Sequence, residues 1–485
     1  MKELNVTGTW RRWTRIAALS AALALPLPSV AGAATPAEQL NEVFGHIEGL
    51  HVGGTSGEAL RDAAIRGMLE ELDDPYTQYY DEAAWQELQD AYEQVMVGIG
   101  IQFAMTEDGL RILRVYANSA AEDAGLRAGD TIVRVGGKEV KSSTLEQLAD
   151  DLLGPEGSVA KLHVADGASR IVKTVNVTRR VFHIPSVSHA LMDGGVGYIR
   201  IDSFSSDTAG LVGEAIRAFS KEPALRSLAI DVRGNPGGYL DAVQAVASYF
   251  IEDGPLLHTV DRNGTQVAIE IEDGGKIGVP AVVLVDGNSA SASEVFAGAM
   301  QDYKAATIVG SKTYGKGSVQ QLISLQGGGG LKVTVEHYLT PKKRQVNGVG
   351  ITPDKEAAHP LGATFAALRE VGVAGFRAEL RSYETVVNGV SFDHVANVLR
   401  EGGRTYVPSR DLATLTGGTA KWDGATSTVT IDGGGRSAAF GAASGLLLQG
   451  GVGYIDAAAF AKAFPGSAKS SATKDAVVLE WTDHG

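Results

Sequence analysis

The sequence predicts an α/β core, preceded by helices and a glycine-punctuated β unit and followed by a small α+β unit. Three observations carry that reading. Between residues 184 and 358, apolar strand patterns alternate with amphipathic helices, the order expected of α/β architecture. Within it, residues 279–285 form a continuous apolar run, which suits a strand buried on both faces. Around it lie short alternating runs divided by glycine turns from about residue 95 to 180, and strand–helix–strand patterns that occur twice in the last hundred residues.

The chain has 485 residues, too many for a single core when a domain holds roughly 100–200 residues. With 44% apolar and 21% charged residues, the bulk is globular. A net charge of −14 argues against nucleic acid as a partner, because phosphate binding needs a basic surface. The absence of cysteine removes disulfides, thiolate nucleophiles and thiolate metal sites. The ten histidines show no HExxH or similar ligand spacing, so no metal site and no cofactor is expected.

Residues 1–34 read as an export signal. Arg11, Arg12 and Arg15 precede an apolar run from Ile16 to about Leu27, and Ala31-Gly32-Ala33 supplies a cleavage pattern. The run is shorter than the ~20 residues a spanning helix needs. The expected location is therefore extracytoplasmic: secreted, cell-wall or membrane-associated.

Residues 35–94 form a helical segment. Leu40, Val43, Phe44, Ile47 and Leu50 recur at helical spacing, as do Leu60, Ala64, Ile65, Met68 and Leu72. A turn at 72–77 leads to a third helix at about 83–95. Residues 95–182 form the β unit, with a glycine turn at Val97, Gly98, Ile99, Gly100 and Ile101 and strands at 111–115 and 131–135. Ser143 and Glu146 match a capping box ahead of a late helix. Residues 183–358 form the core, with strands at 196–201 and 228–232 and a hairpin at Asn263-Gly264. Residues 384–483 form the closing unit.

The informative stretch is Asn288 to Glu294, between the buried strand and a helix. A serine on such an elbow is exposed beside the unpaired N–H groups of the helix start, and these can stabilise an oxyanion. Serine is equally a good N-cap. A serine nucleophile needs a base. His337 lies in the alternating 333–339 strand and reads as a strand residue. Lys316 stands between Gly315 and Gly317; a lysine serves as base when burial depresses its pKa towards ~7–8, while a surface lysine in a glycine loop is the alternative.

Taken together, SASASE at 289–294, Ala299-Met300-Gln301-Asp302, YGKGSVQ at 314–320 and DVRGNPGG at 231–238 resemble the carboxyl-terminal processing peptidases, over roughly residues 36–358. The resemblance implies an α/β crotonase-like peptidase core with an inserted PDZ domain, an α+β, partly open β-barrel. It implies a serine endopeptidase with Ser291 as nucleophile, Lys316 as base and Gln320 as the residue that orients the lysine. Asp302 matches an acidic charge-relay residue, and the N–H groups of Ala292 and of Gly237 or Gly238 match the oxyanion donors. The PDZ domain would take a substrate's apolar C-terminus as an added strand, its carboxylate held by the turn from Val97 to Ile101.

Trypsin-like PDZ proteases carry their nucleophile in GNSGG; here Pro236 stands at that serine's place. A basic residue often found after the late PDZ strand is also missing, with Arg170 nearby but displaced. Residues 384–483 resemble the stalk-like domain first named from the N-terminus of copper amine oxidases, without visible copper ligands. The implied partners are protein or peptide substrates with apolar C-termini, with room for a cell-wall or membrane-associated partner and a homo-oligomer. The rival readings are a non-catalytic PDZ scaffold with a degenerate core, and an acyl-CoA enzyme of related fold, which the PDZ unit and the export signal disfavour.

Overall fold

A computed structural model describes residues 34–165, 172–392, 394–473 and 475–483. Residues 1–33 of the export signal expected at 1–34, and Arg170, lie outside the described residues. The chain falls into two compact units, divided between Pro75 and Tyr76.

The first unit holds two helices, Pro36–Leu50 and Gly57–Glu70. Thr35 caps the first in a reciprocal box with Glu38, and Ser56 caps the second. The apolar stripe expected from the sequence is present, yet neither helix has a buried residue, and Leu40, Val43 and Ile47 are exposed.

In the second unit a six-stranded sheet positions the site. Its order is Val187–Met192, Val196–Ile201, Ser227–Asp231, Ala281–Val285, Thr307–Gly310 and Lys355–Glu356. The first pair is antiparallel and the rest are parallel. Successive side chains point to opposite faces of a strand, and both faces are buried. Ile199, Ile201, Ile230, Val283 and Val285 pack with helices Thr208–Phe219, Leu240–Ala247 and Ala292–Asp302. Tyr198, Ala229, Val282, Leu284 and Val309 join a second core on the opposite face. A second sheet, with strands Gln78–Tyr80, Gly330–Leu339, Gly254–Asp261 and Gln266–Ile271 and a further strand Ser318–Ser324 on Gly330–Leu339, carries the other wall of the site.

The β unit is a sheet of strands Ile101–Thr106, Gly109–Val115, Thr131–Val135, Val159–Ala165 and Val172–Thr178. Its late helix, Leu145–Leu152, is capped one residue later than the sequence suggested. Thr144, with Gln147, forms the reciprocal box, because the Ser143 hydroxyl turns back to the Glu139 carbonyl.

The C-terminal region is not a detached module. Its apolar residues, among them Phe376, Phe392, Leu412 and Trp481, share one core with the outer face of the peptidase sheet, through helix Pro360–Glu370. Its first strand, Gly375–Arg381, precedes residue 384 and pairs along its whole length with the last, Ala476–Thr482. A strand pairing between distant segments is invisible to local pattern. Among the described residues no helix is long and apolar enough to cross a membrane.

Candidate active site

The bend between strand Ala281–Val285 and helix Ala292–Asp302 sets Ser291 at φ 55°, ψ −116°, a conformation that a residue with a side chain holds only when its surroundings impose it. The surroundings are specific. Ser289 and Ser293, two residues to either side, are fully buried. Ser289 Oγ donates to the Val232 carbonyl and Ser293 Oγ to the Asn235 carbonyl, at 2.8 and 3.0 Å. These bonds tie the elbow to the DVRGNPGG loop and leave Ser291 as the serine of the three that faces a cavity of about 360 Å³.

Lys316, Gln320, Ala292, Gly237 and Gly238 line the same cavity. Gly237, at φ 111°, lies so near the elbow that a Cβ on it would stand 2.8 Å from Ser291 Cβ. Its N–H, however, donates to Asn235 Oδ1 at 2.8 Å. The Gly238 N–H makes no hydrogen bond among the described residues, and the Ala292 N–H opens the helix, where no intrahelical acceptor exists.

Glu294 has no exposed surface. Its Oε1 accepts from Thr313 Oγ1 and the Gly315 N–H, at 2.5 and 2.7 Å. Its Oε2 accepts from the N–H groups of Ser291 and Lys316, at 3.0 and 2.8 Å. On the carbonyl side, the buried Tyr338 hydroxyl shares its proton between the Ser291 carbonyl at 3.1 Å and the Lys316 carbonyl at 2.9 Å. The serine and lysine backbones are therefore joined twice, by one carboxylate and one phenol. Sequence reasoning assigned no role to either residue. The capping-box spacing from Ser291 to Glu294 was the available signal, and it concealed a carboxylate that also reaches the lysine loop.

The Lys316 side chain is half-buried, and its Nζ lies 5.2 Å from the centre of the Tyr76 ring. Gln320 Nε2 donates to Ser318 Oγ and Thr334 Oγ1, at 2.8 and 3.3 Å. Tyr92 stacks on Tyr239 at 5.3 Å and brings helix Glu82–Tyr92 over the cavity.

No histidine or carboxylate lies among the described residues that line this cavity. Burial, reinforced by Glu294, raises the Tyr338 phenol well above its ordinary range. Burial and Glu93 push Tyr239 up to about 12. Both phenols stay protonated near neutrality, and Lys316 brings the one amine among the described residues that line the cavity. His337 is exposed on its strand, paired with Val260 and Ser318.

Asp302 is not part of this cavity. It ends the helix that Ser291 begins, about 16 Å away at 1.5 Å per residue. Its carboxylate accepts from the Lys342 N–H and from Arg344, at 2.8 and 2.9 Å. The charge-relay expectation is replaced by a structural role: Asp302 anchors the turn after Gly330–Leu339.

Of the five residues expected to bind a peptide end, Ile99, Gly100 and Ile101 line a mainly apolar cavity of about 650 Å³ beside helix Leu145–Leu152. Strand Ile101–Thr106 forms an edge of its sheet. Val97 and Gly98 instead pair with Val181 and Arg180 in a two-stranded ribbon, whose Met96 and Phe182 also line the cavity.

Residues 195–357 match the family model described as Peptidase family S41, and residues 111–166 match the PDZ domain. Residues 386–463 match the copper amine oxidase N-terminal domain, and residues 28–84 the activating protease CtpB N-terminal domain. The chain is 31% identical over 352 residues to a carboxyl-terminal-processing protease of Synechocystis sp., covering 71% of this chain and 81% of that one. It is 32% identical over 331 residues to a carboxy-terminal-processing protease of Bartonella bacilliformis, covering 67% and 75%. A probable CtpA-like serine protease of Staphylococcus aureus is 35% identical over 302 residues, covering 62% of this chain and 60% of that one. A solved photosystem II D1 C-terminal processing protease shares 30% identity over 70% of this chain and 98% of its own, with a TM-score of 0.42.

Proposed function

Because the chain belongs to peptidase family S41, the carboxyl-terminal-processing serine proteases, we propose that it cleaves peptide bonds with a Ser291–Lys316 dyad. The observation that carries this reading is the cavity itself. Of three alternating serines, Ser291 alone lines it, together with one amine and neither histidine nor carboxylate among the described residues. The neutral Lys316 amine takes the Ser291 proton as Oγ attacks the substrate carbonyl. The tetrahedral oxyanion is met by the N–H groups of Ala292 and Gly238. Lys316 then returns the proton to the leaving amine, and water releases the acyl group from Ser291. The Gln320 carbonyl orients the lysine.

The substrates in this proposal are unfolded proteins with apolar C-termini. Their ends would add a strand to the free edge of Ile101–Thr106, and the apolar groove by Ile99 and Leu145 supports that choice. The enzyme works outside the cytoplasm after export directed by residues 1–34, and its C-terminal unit begins at Gly375 rather than at the expected residue 384.

The test is direct. An active-site serine acylating probe should label Ser291 in the wild-type protein. Ser291→Ala should abolish both labelling and cleavage of an unfolded substrate while leaving the fold intact, and Lys316→Ala should abolish turnover. Cleavage that survives in Ser291→Ala would overturn the dyad.

A further inference from the structure

A second cavity, of about 770 Å³, lies against the C-terminal region, well apart in sequence from the catalytic residues. His359, His394 and Asp411 converge on its wall. His359 Nε2 is 3.0 Å, and His394 Nε2 3.3 Å, from the same carboxylate oxygen, Asp411 Oδ1. The ligand-capable atoms of the three residues all lie within 4.8 Å of one another. A tetrahedral zinc site with bonds of roughly 2.0–2.1 Å has donor-to-donor edges of about 3.3 Å, close to the two histidine–carboxylate separations.

A second observation also points to a ligand. His394 Nε2 is buried, and although Asp411 Oδ1 stands 3.3 Å away, it makes no aligned hydrogen bond among the described residues. Buried polar atoms rarely go without a hydrogen bond, and such an exception calls for an ion or a water. Asp411 is 4% exposed, and the two imidazoles are 28% and 19% exposed, so the cluster is shielded on the protein side and open towards the cavity.

We propose that His359, His394 and Asp411 form a binding site for one divalent cation of the zinc class. Two imidazoles and one carboxylate, without a thiolate, suit zinc and its neighbours, whereas calcium and magnesium favour oxygen ligands throughout. The open position faces the cavity and takes water. Gly362 N–H now points at His359 Nδ1 at 3.3 Å. Binding at Nε2 moves the ring proton to Nδ1, so this long capping contact is given up. The three ligands come from the cap of helix Pro360–Glu370, the segment after strand Val390–Phe392, and helix Ser409–Leu415. An ion held there fastens the helix that follows the peptidase core to the C-terminal region.

The test uses the full chain without a polyhistidine tag, stripped with EDTA and titrated with Zn²⁺ by calorimetry, with Co²⁺ absorption as a second readout. The wild type and Ser291→Ala should each take up one Zn²⁺ per chain saturably, since the site is independent of the catalytic dyad. His394→Ala and Asp411→Asn should each weaken uptake about tenfold or more, with His394→Gln as the substitute if the alanine variant does not fold. Zn²⁺ should raise the melting temperature of the wild type and not that of the His394 variant. Absence of saturable uptake by the wild type, or equal affinity in the His394 and Asp411 variants, would overturn the assignment.

Discussion

The backbone N–H groups of Ser291 and Lys316, which are 25 positions apart, donate to a single oxygen, Glu294 Oε2, at 3.0 and 2.8 Å. The Ser291 elbow and the Lys316 loop are thus tied to one carboxylate.

Replacing Glu294 by Gln tests that coupling. The carboxylate accepts four hydrogen bonds, and an amide must turn one NH₂ towards two donors. Leaving buried donors unpaired costs about 1–3 kcal/mol each. Denaturant unfolding should show a loss of about 2–4 kcal/mol. The kcat should fall by about 100-fold, the scale expected of a small misplacement of reacting groups. Unchanged kcat in a protein that is measurably less stable would reduce Glu294 to a purely structural residue.

Tyr338→Phe removes the shared donor from the two carbonyls while keeping the ring. A neutral hydrogen bond contributes about 0.5–1.5 kcal/mol, so kcat should drop several-fold and KM should hold. Because burial and Glu294 keep the phenol protonated, the pH profile should keep its shape. A new ionisation in the variant would contradict this.

Arg233→Met should cost about 3–5 kcal/mol of stability. It strands Asp231, which is fully buried and held by Arg233 at both oxygens. Burial alone would raise the Asp231 carboxyl, but Arg233 brings it below its ordinary value. A lowered folded pKa gives stability that is present above the unfolded pKa and lost as pH falls through the folded one. The wild type should therefore lose stability on acidification more steeply than the variant, as followed by urea midpoints between neutral and acid pH. Equal slopes would remove this pair from the acid response.

Ala149→Arg places a cation in the groove beside Ile101 and Leu152. KM for a substrate with an apolar C-terminus should rise about tenfold, equivalent to about 1.4 kcal/mol. An unaltered KM would point to another docking surface.

Much of this protein was legible along the chain, because local rules govern it. Period-two and helical patterns located the strands at 131–135 and 196–201 and the helix after Ser291. The quoted motifs supplied Ser291, Lys316 and Gln320, which line one cavity. What only the tertiary structure decided concerns distance and partners. Asp302 and Ser291 belong to one motif-bearing helix, yet its rigid rise sets them at opposite ends. Glu294 had no role readable from its own segment; folding brings the Lys316 N–H to the same oxygen that accepts from Ser291. Gly237 could not be told from Gly238 until Asn235 took one of the two N–H groups. His359, His394 and Asp411 have no motif spacing, because three separate segments supply them. Sequence fixes what each residue can donate, accept or bury nearby; which distant group receives it is set when the sheets close, since hydrogen bonds and ligand bonds act over about 3 Å.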